Sequence, residues 1–147
     1  MLVDAIMPTA RQRLTTIKSD ETLADAASLL SETHVGLFVV CAHDGSMAGV
    51  ITKTDVVRQV AQRLDSIRAA PASAIMTENV VHCRPSDSLE EVWSNMKKRG
   101  FVHIPVIDQH VRPSGVVNAR DALHALLGEM KDEQTLLRDY VMGIGYR

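Results

Sequence analysis

Gly49-Val50-Ile51-Thr52-Lys53-Thr54-Asp55 and Gly115-Val116-Val117-Asn118-Ala119-Arg120-Asp121 stand 66 residues apart in a chain of 147. Each places a carboxylate six positions after a glycine and three after a side-chain oxygen able to cap a helix. An ionised carboxylate has two acceptor oxygens, which suit the adjacent 2′- and 3′-hydroxyls of a ribose. A helix beginning at Thr52 or Asn118 offers unpaired N–H groups and the positive end of its dipole, which suit a phosphate. The glycines let a ligand or another backbone approach closely, and Arg120 adds a forked cation. Sugar acceptor and phosphate cradle beside an apolar slot make a nucleotide site. The same residues satisfy a second rule, because a hydroxyl or amide three residues ahead of an acid, before an apolar run, is a capping box. Both readings stay open on the residues alone.

Other chemistry is not signalled. No Ser or Cys stands in a recognisable relation to a His and an acid, and no carboxylates are paired for acid–base work, so no enzyme is expected. Cys41 and Cys83 lack metal-ligand spacing and read as small buried hydrophobes of a reducing compartment. His82 and Cys83 are neighbours on an expected strand, point to opposite faces and make a poor chelate. His34, His43, His110 and His124 are scattered and expected on the surface, and no metal or required cofactor is implied. Lys and Arg number 16 against 18 Asp and Glu, so no footprint for nucleic acid appears. Lys97-Lys98-Arg99 reads as a solvated helix end. No run approaches the ~20 apolar residues of a membrane span, and the start "MLVDAIMPTA" lacks a secretory pattern. The expected setting is the cytoplasm.

The elements that must carry the two segments are also written twice. Leu23, Ala26, Ala27 and Leu30 recur as Leu89, Val92, Trp93 and Met96, each quartet an apolar stripe at helical spacing. Val56, Val57, Val60, Ala61 and Leu64 recur as Ala122, Leu123, Leu126, Leu127 and Met130. "DAIMP" at 4–8 answers "SAIMT" at 73–77. Short apolar runs at 36–40 and 103–107 lead through turns to runs at 47–51 and 114–117; the first turn carries Asp44-Gly45, a hairpin signal. Strands also fit "LTTI" at 14–17 and "VVHC" at 80–83. Each copy therefore reads strand, helix, strand, strand, helix, an α/β (α+β) pattern. The copies are placed at 1–66 and 67–130, with a helical tail at 131–147 that has no counterpart. A half of ~65 residues buries too little surface to stand comfortably alone, so the copies should pack sheet to sheet about a pseudo-twofold axis.

In order and duplication these motifs resemble a tandem pair of cystathionine-β-synthase (CBS) domains, a Bateman module. The resemblance rests on Ile6-Met7-Pro8 and Ile75-Met76-Thr77, the two first-helix stripes, His103-Ile104-Pro105-Val106 and the Gly-to-Asp segments, and it covers residues 1 to about 130. It implies a regulatory module that binds an adenosine nucleotide (AMP, ADP or ATP-like) between the repeats and signals to an unidentified protein target, commonly as a homodimer. By the same resemblance Asp55 and Asp121 would take the ribose, and Thr52, Thr54, Asn118 and Arg120 would face phosphate. The base would lie against Val80 and Val81 at the Asp55 site and against Thr15 and Thr16 at the Asp121 site. His103 would line the Asp55 site, with Gly36 as its counterpart in the first copy. The alternative is a ligand-free dimerisation or scaffold module. The tail places Leu136, Leu137, Tyr140 and Val141 on one helical side, where they would add to a dimer contact.

Overall fold

A computed structural model describes residues 1–32, 36–62 and 69–144. The first copy runs from a 3-10 turn (Val3–Ile6) into α1 (Met7–Gln12), β1 (Thr16–Lys18), α2 (Leu23–Glu32), β2 (Leu37–Cys41), β3 (Met47–Thr52) and α3 (Lys53–Gln62). The second comprises α4 (Ala72–Ile75), α5 (Leu89–Arg99), β4 (His103–Ile107), β5 (Pro113–Asn118) and α6 (Ala119–Ile144), so the tail continues α6. The stripes fold as read: Leu23, Ala26 and Leu30 are buried on α2, and Leu89, Val92 and Met96 on α5. Ser88 caps α5 by accepting from the Glu91 N–H, and Gly100, at φ 69°, ends it. Leu64, at the end of the α3 stripe, lies outside the described residues.

The hairpins repeat to the residue. Leu37 faces Thr52 in β2–β3, and His103 faces Asn118 in β4–β5, each with an irregularity before its last pair. Asp44 Oδ1 accepts from the Ser46 N–H and hydroxyl while Gly45 takes φ 86°. The less regular second turn is built on Asp108 Oδ1, which accepts from the His110 and Arg112 N–H groups, and it forces Val111 to φ 61°.

Two expectations on strands need correction. The first strand begins at Thr16 rather than Leu14, because Arg13 and Leu14 still close helical-type bonds to Ala10 and Arg11. "VVHC" is not a strand. The Val80 N–H turns back to the Glu78 carbonyl, and only Cys83 pairs with β4, donating to Pro105 and accepting from Ile107. Among the described residues the first sheet thus has β1 parallel to β2 and β2 antiparallel to β3, while the second has two strands and this single bridge.

The opening segment of each copy packs on the other copy. Val3, Ile6, Met7 and Ala10 are buried among Leu89, Val92, Met96, Ile104 and Val117. Ala72 and Ile75 are buried among Ile17, Leu23, Phe38 and Ile51. The hydrogen bonds match: the Val3 N–H donates to Asp87 and the Leu89 N–H to Met1, as the Ala72 N–H donates to Glu21 and the Leu23 N–H to Ala70. A third cluster, Leu37, Val39, Val50 and Val116, joins the sheets face to face.

Candidate functional site

Asp55 sits in the first turn of α3, largely buried. Its Oδ2 accepts from the Thr52 N–H (2.9 Å) and hydroxyl (3.1 Å), and Thr52 Oγ1 accepts from the Asp55 N–H (3.2 Å). The capping box therefore forms in full. Among the described residues Oδ1 meets Arg58 Nη1 alone, at 3.5 Å. The same helix start faces a cleft of about 560 Å³ that is lined by both copies. Thr52, Thr54 and Asp55 form one side, and Val80, Val81 and His103 the other. These six are the residues the resemblance assigns to one site.

Further lining residues carried no sequence signal of their own. Lys53 enters because it lies between the two capping residues, Thr77 because it bridges to Val50, and Asn79 because the chain after that bridge passes along the cleft. Phe101 and Val102, at the mouth, are unusually exposed for their size, at 38% and 58%. Gly49 is required here: a Cβ would stand 2.6 Å from the Thr77 carbonyl oxygen and 2.7 Å from Met76 Sδ.

His103 is half-buried, and burial holds its imidazole below the ordinary histidine range, with nearby Arg13 acting the same way and Asp121 opposing it. One ring nitrogen, Nε2, lies 3.2 Å from Asn118 Nδ2. The strand register corrects its counterpart, which is Leu37 and not Gly36, since Leu37 faces Thr52 as His103 faces Asn118. Gly36 instead makes room for the imidazole, because a Cβ there would stand 2.8 Å from His103 Cε1.

The other five residues are arranged differently. Asn118 Oδ1 caps α6 by accepting from the Arg120 and Asp121 N–H groups. Asp121 accepts from Arg13 at both oxygens, Nε to Oδ2 at 2.7 Å and Nη2 to Oδ1 at 2.9 Å. Arg120 is exposed, Thr16 is an exposed residue of β1, and the Thr15 carbonyl bonds to the Val39 N–H. Arg13 was not anticipated from the sequence. Its signal is an unequal spacing, three residues longer from Met7 to Leu14 than from Met76 to Val80.

Cys41 and Cys83 are free thiols; burial pushes Cys83 up to about 12, and Asp87 adds to it. His43, His82, His110 and His124 are exposed, and His34 lies outside the described residues. Among the described residues no cluster could hold a metal ion, and no helix is long and apolar enough to cross a membrane.

Known proteins share this fold. An uncharacterized 17.7 kDa protein of Acidianus ambivalens is 29% identical over 119 residues, 80% of this chain and 70% of that protein. The region matched in homoserine O-acetyltransferases of methanogenic archaea is only 20 to 23% of their length. A CBS-domain containing protein of Agrobacterium tumefaciens superposes with a TM-score of 0.73 at 26% identity, covering 85% of this chain and 98% of that one. CBSX2 of Arabidopsis thaliana, solved with AMP, superposes at 0.74 and 23% identity, covering 88% and 98%. The model of the CBS domain matches residues 3–62 and again 72–128, the two copies built above, and the chain belongs to that family as a tandem pair.

Proposed function

We propose that this chain is a regulatory module that binds an adenosine nucleotide in the Asp55 cleft, and that it signals occupancy to a partner protein in the cytoplasm without catalysing a reaction. The observation that carries the reading is one convergence: a carboxylate at a helix N-terminus, an apolar wall from the other copy and a half-buried imidazole surround one cavity. Among the described residues Asp55 Oδ1 has one contact, Arg58 at 3.5 Å, which leaves acceptor capacity for a ribose hydroxyl. AMP in the CBSX2 complex is a ligand of the same fold, which favours the adenosine class over others. The second reading, a ligand-free dimerisation or scaffold module, is favoured by the completed box, because Thr52 and Asp55 already satisfy each other.

Thermal or urea unfolding with AMP, ADP and ATP separates the two. Nucleotide at a hundredfold excess over its Kd should stabilise the fold by about 2.7 kcal/mol. Asp55→Asn should remove most of that gain and lower the unliganded stability little, while Thr52→Ala should lower both, the cap alone being worth ~1 kcal/mol. No shift with any of the three at millimolar level, with Asp55→Asn costing only unliganded stability, would make the module a scaffold.

The same proposal includes a homodimer through α3 and α6. Val57, Val60, Leu127 and Met130 are 67, 48, 52 and 55% exposed on those helices, more apolar surface than one chain needs to leave open. In the tail, Leu137 is 65% exposed, while the side chains of Leu136, Tyr140 and Val141 lie outside the described residues. Sedimentation should give a dimer that Val57→Asp converts to a folded monomer; a wild-type monomer at every concentration would refute it.

A further inference from the structure

The two copies part company where each opening segment meets the other copy's hairpin. After α4 the chain turns extended, with Met76 at φ −70°, ψ 155°, and Thr77 bonds Val50 in both directions at 2.9 and 3.0 Å. Residues 79–81 then line the Asp55 cleft. In the first copy three additional residues let the chain stay helical through Gln12. Ala10 is 1% exposed, and its Cβ and carbonyl carbon lie 3.0 Å from where a Cβ on Gly115 would stand. Helix α1 therefore lies against β5, where the other copy offers an extended strand-like edge and a cavity. The turn after it delivers the Arg13 guanidinium onto both oxygens of Asp121. A forked pair of this geometry uses the acceptor sites that two ribose hydroxyls would need and neutralises the charge.

We propose that α1 and Arg13 occupy the place at the start of α6 that corresponds to the Asp55 cleft, so that the chain takes one nucleotide, at Asp55. The inference rests on the nucleotide reading above and adds which of the two duplicated sites is open. Calorimetric titration of the full chain with AMP should give one equivalent per chain, abolished by Asp55→Asn and unchanged in number by Asp121→Asn. Asn118 rather than Asp121 caps α6, so the latter substitution spares the helix start. Two equivalents in the wild type, or a single one lost with Asp121→Asn, would overturn the proposal. A second measurement needs no ligand. In urea unfolding of Arg13→Ala, Asp121→Asn and the double variant, the double should lose less in midpoint than the two singles together. Additive losses would overturn the lock. Absence of AMP binding in every variant would instead sink the nucleotide reading, and the urea cycle would then decide on the lock by itself.

Discussion

Asp55 and Asp121 begin as the same residue in two copies and end in different company. What separates them is the neighbour: a threonine hydroxyl and a loosely placed Arg58 for one, a forked Arg13 for the other. His103 stands between these environments, lining the Asp55 cleft while contacting Asn118, whose other end caps the Asp121 helix. Its position has a consequence for pH. Burial and Arg13 lower its folded pKa, so the unfolded chain, with a histidine pKa of about 6.5, takes up the proton first as pH falls. The unfolded state then binds more protons than the native, and stability rises with pH in that interval. His103's contribution is complete above about pH 6.5 and is lost as pH falls through the lower folded value. Urea midpoints of the wild type should therefore drop between about pH 7 and pH 5 more steeply than those of His103→Gln. Equal slopes would mean that the imidazole is not held neutral.

The β4–β5 turn shows at the scale of an element how a duplicated fold tolerates a poor local fit. Where the first hairpin has Gly45 to take a positive φ, the second puts a β-branched valine at φ 61°. A left-handed conformation costs such a residue roughly 1–2 kcal/mol. It persists because Asp108 holds two N–H groups of the turn and because the Val111 carbonyl accepts from the Met47 N–H at 2.7 Å, tying one hairpin to the other. Val111→Asn should therefore stabilise the protein by ~0.5–1 kcal/mol, since asparagine adopts this region readily and the site is 40% exposed. An unchanged or lowered Tm would mean that the valine side chain contributes packing there. Elements of this kind were readable where one local rule governs them. The α2 and α5 stripes, Asp44-Gly45 and the Thr52–Asp55 box each carry their own signal within a few residues, and with them the Asp55 side of the cleft. "VVHC" failed because alternation and β-branching favour a strand, while the turn-back of Val80 to Glu78 leaves only Cys83 to pair. The Arg13–Asp121 pair spans 108 residues and follows from an added helical turn, which no periodicity marks.

Across the whole molecule the fold is held by exchange. Each copy supplies the segment that closes the other's core: Val3, Ile6, Met7 and Ala10 to the second, Ala72 and Ile75 to the first. The equivalence of the backbone bonds at both exchanges makes this the pseudo-twofold feature of the pair, beyond the two sheets meeting at Val39, Val50 and Val116. Neither copy's sequence span is then expected to fold on its own. A chain of residues 1–66 would keep α2, β2, β3 and α3 but lack Ala72 and Ile75, and would expose Ile17, Leu23, Phe38 and Ile51, which those residues cover. Its own Val3, Ile6, Met7 and Ala10 would have nothing to pack on. Removing a large buried side chain costs ~2–5 kcal/mol, and the exchange involves several, against a total stability of about 5–15 kcal/mol for a domain. The 1–66 fragment should therefore show no cooperative urea transition as a monomer. Mixed with residues 67–147 it should regain one, because the exchanged segments are then present in trans. A monomeric fragment that unfolds cooperatively without its mate would mean that the exchange is ornamental to stability and that each copy carries a sufficient core.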